Sequence, residues 1–97
     1  MARLIYSTRA FSDLERLTDF LSESDPDAAL ETVDLIVEAI SILTRHPLIG
    51  RCVDAEVREL IISRGQTGHV ALYSVEPAQD AVLILALRHQ REAGYFI

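Results

Sequence analysis

Hydrophobic residues recur at helical spacing in two stretches of the first half of the chain. In the first, from about residue 8 to residue 24, the apolar face carries Phe11, Leu14, Leu17 and Leu21, and acidic residues lie opposite. In the second, which stops before Pro47, the apolar face carries Leu30, Val33, Ile36, Val37, Ile40 and Leu43. The pattern predicts two amphipathic helices that bury these faces in one core.

The link between the two helices is short and carries signals for the start of the second helix. Asp25 can cap that helix, and Pro26 suits its first position. Asp27 and Glu31 place negative charge near the positive end of the helix dipole. Because the link is so short, we expect the two helices to form an antiparallel hairpin.

The hydrophobic period changes to that of strands on either side of the helices. Strand candidates span residues 3–7, 57–63, 69–75 and 81–89. Turn sequences separate the last three candidates, which predicts an antiparallel meander. Residues 81–87 are apolar at nearly every position, so we expect the last strand inside the sheet with both faces covered.

The order of elements is therefore β-α-α-β-β-β. It predicts an α+β fold in which a helical hairpin packs on a small, mainly antiparallel sheet. With 97 residues, the chain is near the common domain size, so residues 1–97 are expected to form a single domain.

The charge is unevenly distributed along the chain. Residues 1–38 hold nine acidic residues against three arginines, whereas residues 39–97 hold six of each. The chain has no lysine, so every fixed cation is an arginine, which suits planar contact with carboxylate or phosphate. An isoelectric point near 4.9 argues against direct binding to DNA or RNA in general.

Composition also excludes several kinds of site. The single cysteine, Cys52, excludes an internal disulfide and a cysteine-based zinc site, and we expect it to be half-buried. Three histidines without paired spacing predict no metal site, and no motif indicates a cofactor. No apolar run is long enough to cross a membrane and the first residues lack a secretory signal, so a cytoplasmic protein is expected.

Four phrases in the chain carry a resemblance to a known family. They are HisProLeuIleGlyArg (46–51), ValArgGluLeu (57–60), ValAlaLeuTyrSerVal (70–75) and LeuArgHisGlnArg (87–91). Together with the order of elements, they resemble the RelE/ParE toxins of bacterial toxin–antitoxin modules over essentially the whole chain. The resemblance implies one of two activities: RelE-like members are metal-independent ribonucleases, several of which cut mRNA on the ribosome, and ParE-like members inhibit DNA gyrase. It also implies neutralisation by an antitoxin that wraps the toxin.

The ribonuclease alternative needs groups that move protons and cations that stabilise a charged phosphorane. The candidates for these roles are Arg64, His89, Arg91 and Tyr95. Strand alternation, however, places Arg88 on the opposite face from His89. The acidic residues Asp54, Glu56 and Glu59 precede or open the second strand, where they would repel an RNA backbone.

The sequence therefore favours a ParE-like toxin without catalytic residues, whose likeness to the family implies DNA gyrase as the target. Its partner would be a ParD-like antitoxin, in a heterotetramer or larger complex. The residues expected to contact the antitoxin or the target are Arg58, Arg64, Tyr73, Arg88, His89, Arg91, Tyr95 and Phe96. Purely structural roles stay open for several of them: His89 can close a strand, and Tyr73 can belong to the core.

Overall fold

The computed structural model describes residues 1–64, 67–92 and 94–95, leaving aside the side chains of residues 63, 64 and 67. The strands are β1 (Arg3–Tyr6), β2 (Arg51–Cys52), β3 (Val57–Arg64), β4 (Thr67–Glu76) and β5 (Ala81–His89). The helices are α1 (Thr8–Ser22) and α2 (Pro26–Ser41), and single 3₁₀ turns span Ile42–Thr44 and Pro77–Gln79.

The strands form one five-stranded sheet in the order β1-β5-β4-β3-β2. β3, β4 and β5 form the predicted antiparallel meander, and β1 pairs with β5 in parallel. The predicted α+β fold, a helical hairpin on a mainly antiparallel sheet, is confirmed. β2 was not predicted, because a strand of two residues shows no periodicity; it pairs Arg51 with Glu59 and Cys52 with Arg58.

Both helices begin where the sequence indicates, with a side chain as cap. Asp25 accepts a hydrogen bond from the amide of Ala28 at 3.1 Å, and Pro26 occupies the first position of α2. Ser7 accepts from the amide of Ala10 at 3.0 Å. The Ser7 hydroxyl also donates to the carbonyl of Leu85 at 2.9 Å, which fixes the start of α1 against β5.

The core lies between the helical hairpin and one face of the sheet. Its fully buried large residues include Ile36, Ile40 and Leu43 from the helical half and Tyr73, Ile84 and Leu87 from the sheet. Ala86 and Leu87, which point to opposite faces of β5, are both buried. The prediction that β5 is an interior strand is therefore confirmed, but its second face is only partly covered, since Leu83 and Leu85 are half-buried.

The predicted apolar faces of the helices need correction. Phe11 on α1 and Leu30 and Val37 on α2 are exposed, Leu30 to 66%. The small residues Ala10 and Ala29 are buried instead. Because small side chains let the elements approach closely, the buried stripe of each helix is rotated from the one that large apolar residues alone suggest.

Asp13 was expected on the polar face of α1, but it is only 3% exposed. Its Oδ2 accepts a hydrogen bond from the amide of Leu87 at 2.9 Å. β1 pairs with β5 only as far as Ile84, so the backbone of β5 beyond that point lacks a neighbouring strand on this side. Ser7 and Asp13 pair with the backbone groups of Leu85 and Leu87 that β1 leaves uncovered.

Within the described residues, no helix has the length and apolar character that crossing a membrane requires.

Candidate functional site

The candidate residues fall into two groups on opposite faces of the sheet, where β5 ends. Arg88 and His89 are neighbours in β5 and point to opposite sides. His89 meets the ring of His69 edge-on, with centroids 5.2 Å apart. The Arg88 guanidinium lies 5.2 Å from the centroid of the Tyr95 ring. The separation of Arg88 from His89 that strand alternation predicts is therefore present.

On the side of the helices, a groove of about 750 Å³ runs between the hairpin and the sheet; we call it the hairpin groove. Its apolar walls come from Leu17, Phe20, Leu21 and Leu35, and its end at the sheet is formed by Arg16, His69, His89, Arg91 and Glu92. Phe20 is 76% exposed, so a large aromatic side chain on the wall lacks a covering group among the described residues. A long apolar groove with a polar end is the shape that accepts an amphipathic helix.

The two histidines at the end of this groove have structural contacts. His69 is buried, and this burial together with the nearby His89 lowers the pKa of His69, against an opposing effect of Glu92. His89 Nδ1 accepts a hydrogen bond from the amide of Arg91 at 3.1 Å. That bond places the proton of a neutral His89 ring on Nε2, so Nδ1 is not free to act as a base.

Glu92 joins the segment after β5 to the first helix. Its Oε2 is 2.8 Å from Arg16 Nη1, and its Oε1 accepts from the amide of His89 at 2.8 Å. Arg16 also lies 3.5 Å from Asp13. The role of Glu92 could not be predicted from the sequence, because Glu92 and Arg16 are far apart along the chain. Only the Asp13–Arg16 pair has the i,i+3 spacing that a helix pattern reveals.

On the opposite face of the sheet, Arg51, Glu59, Arg88 and Tyr95 form a group that we call the Glu59 cluster. Glu59 Oε1 is 2.6 Å from Arg51 Nη2, and Glu59 Oε2 accepts from the Tyr95 hydroxyl at 2.5 Å. Glu59 is only 6% exposed. The sequence analysis counted Glu59 among the carboxylates that would repel an RNA backbone; in the structure both of its oxygens are bonded, one of them in an ion pair with Arg51.

The protonation states in the Glu59 cluster follow from these contacts. Hydrogen bonds from Arg51 and Tyr95 lower the pKa of the Glu59 carboxyl, so this group stays ionised at neutral pH. Burial and the bond to Glu59 raise the pKa of the Tyr95 phenol well above its usual range. Tyr95 therefore keeps its proton and is not a general base near neutral pH.

Arg88 binds the chain itself. Its Nη1 donates to the carbonyls of His89, Gln90 and Glu92 at 3.2 to 3.3 Å. Together with the Tyr95 ring, these carbonyls hold the guanidinium against the turn that follows β5. A cation bound to three carbonyls in this way stabilises the turn.

Tyr73 and Arg58 support a loop from beneath. The Tyr73 side chain is fully buried; its hydroxyl donates to the Pro47 carbonyl and accepts from the Gly50 amide, both at 2.8 Å. Arg58 donates to the carbonyls of Leu48 and Gly50 at 3.0 and 2.8 Å. With no exposed surface, Tyr73 cannot contact a partner in this conformation, which corrects the expectation from the sequence.

Three residues from the sequence analysis remain, namely Arg64, Phe96 and Cys52. Arg64 belongs to β3, but its side chain lies outside the described part of the structure, as does the whole of Phe96. Cys52 is exposed and not half-buried. Across the described ranges, no group of three or more potential ligand side chains is arranged to hold a metal ion.

Comparison with known proteins identifies the family. Residues 4–94 match the family model of the ParE toxin of the type II toxin–antitoxin system parDE. Toxin RelE3 of Caulobacter vibrioides is 39% identical over 84 residues, which cover 87% of this chain and 89% of that protein. Toxin RelE1 of the same organism is 39% identical over 70 residues, which cover 72% of this chain and 75% of that protein.

Solved structures give the same result. The toxin-like chain of the chromosomal ParDE system from P. aeruginosa superposes with a TM-score of 0.75 at 26% identity, over 92% of this chain and 96% of that one. The isolated E. coli RelE toxin superposes with a TM-score of 0.66 at 11% identity, over 96% of this chain and 88% of that one, and so shares the fold. The chain therefore belongs to the ParE/RelE family and is a toxin of the type II toxin–antitoxin kind.

Proposed function

We propose that this toxin acts by binding, with DNA gyrase as its target, and that a ParD-like antitoxin neutralises it. The observation that carries the proposal is the separation of the candidate catalytic groups. His89 and Arg91 belong to the helix side of the sheet, and Arg88 and Tyr95 to the other side. A phosphodiester bound on one face would meet only part of the set that cleavage needs.

The contacts of the individual groups support the same proposal. The Tyr95 proton is held by the Glu59 carboxylate, and His89 Nδ1 accepts from a backbone amide. The guanidinium of Arg88 is occupied by carbonyls of its own chain. Each of these contacts would have to break before the group could serve in catalysis, whereas binding of a partner in the hairpin groove requires no such change.

The hairpin groove is the proposed seat of the antitoxin. Its exposed aromatic wall at Phe20 suits the apolar face of an antitoxin helix, and Arg91 at its end suits an antitoxin carboxylate. The ParDE structure from P. aeruginosa, whose toxin-like chain this one resembles, is of a toxin–antitoxin system. We extend that arrangement to this chain, with assembly into a heterotetramer or a larger complex.

An extended antitoxin segment has a place at the edge of the sheet. β2 pairs only with Arg58 and Glu59, so β3 from Leu60 onward lacks a strand partner on that side among the described residues. Ile61 in this stretch is exposed. An added strand would satisfy the free backbone groups and cover this side chain.

The second candidate is a metal-independent ribonuclease that acts on mRNA at the ribosome. One observation favours it: Arg88 and Tyr95 lie together on one face, and a cation beside a phenol could stabilise and protonate a leaving group. This activity would require release of Tyr95 from Glu59.

Two assays on the purified toxin distinguish the candidates. The first measures supercoiling of relaxed plasmid by gyrase, and the second measures cleavage of mRNA on translating ribosomes. Inhibition of supercoiling without RNA cleavage supports the proposal. RNA cleavage that is lost in Tyr95→Phe and in the double variant His89→Ala, Arg91→Ala would replace it with the ribonuclease.

A further inference from the structure

The Glu59 carboxylate is enclosed as a bound anion would be. One of its oxygens meets the Arg51 guanidinium at 2.6 Å and the other meets the Tyr95 hydroxyl at 2.5 Å. Only 7% of the side chain is exposed, although it belongs to a face of the sheet without helices. Charge-assisted bonds of this length from a guanidinium and a phenol are those that proteins use to hold oxyanions.

The positive charge around this carboxylate exceeds what the carboxylate neutralises. Arg51 bonds it directly, and the charge of Arg88 acts on it as well. The Nε of Arg88 is buried and lacks a hydrogen-bond partner among the described residues. One guanidinium therefore bonds the carboxylate, and a second lies against the Tyr95 ring with one buried donor, Nε, that has no acceptor among the described residues.

The cluster is also open on one side. The Arg51 side chain is 70% exposed although its tip reaches the buried carboxylate. A small anion could reach the cluster along this side chain without any change in the sheet. The cluster thus combines a buried unpartnered donor, positive charge from two arginines and access from solvent.

We propose that the Glu59 cluster is an oxyanion site that the chain fills with its own carboxylate. Glu59 excludes phosphate groups from this face of the sheet, and it does so by occupying the donors rather than by repulsion from the surface. Glu59 is thus the residue that determines specificity at this site. Without its side chain, Arg51, Tyr95 and the unpartnered Nε of Arg88 would offer donors to inorganic phosphate or to another small phosphate oxyanion.

The test uses the purified toxin, the variant Glu59→Ala and inorganic phosphate as the probe. Thermal unfolding is followed in sodium phosphate and in sodium chloride at the same pH and ionic strength, so that screening is equal. We expect phosphate to raise the unfolding temperature of Glu59→Ala above its value in chloride, with an apparent affinity at least tenfold that of the wild type. Adding Arg51→Ala to this variant should abolish the response.

Glu56→Ala is the matched control. Glu56 is exposed and lies three residues before Glu59, and its backbone amide donates a hydrogen bond to Asp54 Oδ1. This variant should respond to phosphate as the wild type does. The proposal would be overturned if Glu59→Ala has the same unfolding temperature in phosphate as in chloride. It would also be overturned if the effect of phosphate persists after Arg51→Ala is added.

The experiment also tests the proposal when Glu59→Ala is unfolded in chloride. Removing the carboxylate leaves the Arg51 guanidinium and the Tyr95 hydroxyl without their acceptor, which destabilises the fold, so phosphate should then restore the circular dichroism spectrum of the folded protein. Failure of phosphate to restore it, together with a folded Glu59→Ser that shows no phosphate response, would contradict the proposal. The result is independent of the gyrase assay, because it concerns the isolated chain and a small anion.

Discussion

The hydroxyl of Tyr95 donates to Glu59 Oε2 at 2.5 Å and so joins the segment after β5 to β3, across the intervening strand β4. Tyr95 is the candidate for proton transfer in that segment, and this bond determines whether its hydroxyl can release a proton. Because the carboxylate holds the phenolic proton, Tyr95 is a structural residue in this conformation.

Replacing Tyr95 by phenylalanine tests that role. The change leaves one oxygen of a buried carboxylate without its donor, so we expect the free energy of unfolding to fall by about 1–3 kcal/mol. Urea unfolding followed by circular dichroism measures it. The matched control is Tyr6→Phe, because the buried Tyr6 hydroxyl lacks a hydrogen-bond partner among the described residues. Equal losses in the two variants would contradict the structural role of Tyr95.

The Glu59 pair also predicts how stability depends on pH. The pKa of Glu59 is lower in the folded protein, first because of the hydrogen bond from Arg51 and then because of that from Tyr95. Its stabilising contribution is therefore complete above the unfolded pKa of about 4.3 and is lost as the pH falls through the lower folded value.

The measurement compares the unfolding free energies of wild type and Glu59→Gln between pH 3 and pH 7. The difference between them should be constant from neutral pH down to about pH 5 and should shrink below about pH 4.3. Glu56→Gln should differ little from the wild type over the same range. A difference that grows in acid would show that the sign of the Glu59 contribution is wrong.

Asp13 gives a prediction for the contact between α1 and β5. Asp13→Ala leaves the buried amide of Leu87 without an acceptor, so we expect a loss of about 1–3 kcal/mol in unfolding free energy. Asp13→Asn keeps an acceptor oxygen and should lose less. Asp19→Ala, which removes an exposed acid from the same helix, should change stability by less than about 0.5 kcal/mol. Similar losses for Asp13→Ala and Asp19→Ala would show that the buried bond contributes nothing.

The hairpin groove predicts which exposed aromatic residue binds the antitoxin. Phe20→Ala should weaken the binding of the ParD-like antitoxin on the order of tenfold or more, because it removes a large apolar contact from the groove wall. Stability should hardly change, since Phe20 is mostly exposed in the free toxin. Isothermal titration calorimetry with the cognate antitoxin measures the affinity.

The control for this prediction is Leu30→Ala. Leu30 is also an exposed apolar residue of the hairpin, but it is outside the set of residues that line the groove. Its replacement should leave antitoxin affinity within about twofold of the wild type. If Leu30→Ala weakens binding more than Phe20→Ala does, the antitoxin docks elsewhere on the hairpin.

Local patterns in the sequence predicted the main elements of the fold. The cap at Asp25 and the apolar run of β5 each depend on neighbouring residues, and the structure confirms both. Contacts over long separations in sequence could not be predicted in this way. Asp13 bonds to the amide of Leu87 and Tyr95 bonds to Glu59, and neither pair leaves a periodic signal.

In the candidate site, too, local features could be predicted from the sequence and long-range contacts could not. Alternation within one strand separated Arg88 from His89, and this separation needed no tertiary information. The burial of Glu59 depends on β2 and on the segment that follows β5, which meet only in the folded chain. The opposition of faces could therefore be predicted from the sequence, but the burial and the bonding of Glu59 could not.

Binding to gyrase, and not cleavage of RNA, is the mode of action that we propose for this toxin. Its most direct test is the supercoiling of relaxed plasmid by purified gyrase, with the wild-type toxin added alone and after saturation with its antitoxin. We expect the toxin alone to inhibit supercoiling and the antitoxin to restore it. Full gyrase activity at saturating toxin, with cleavage of mRNA on ribosomes by the same preparation, would contradict it.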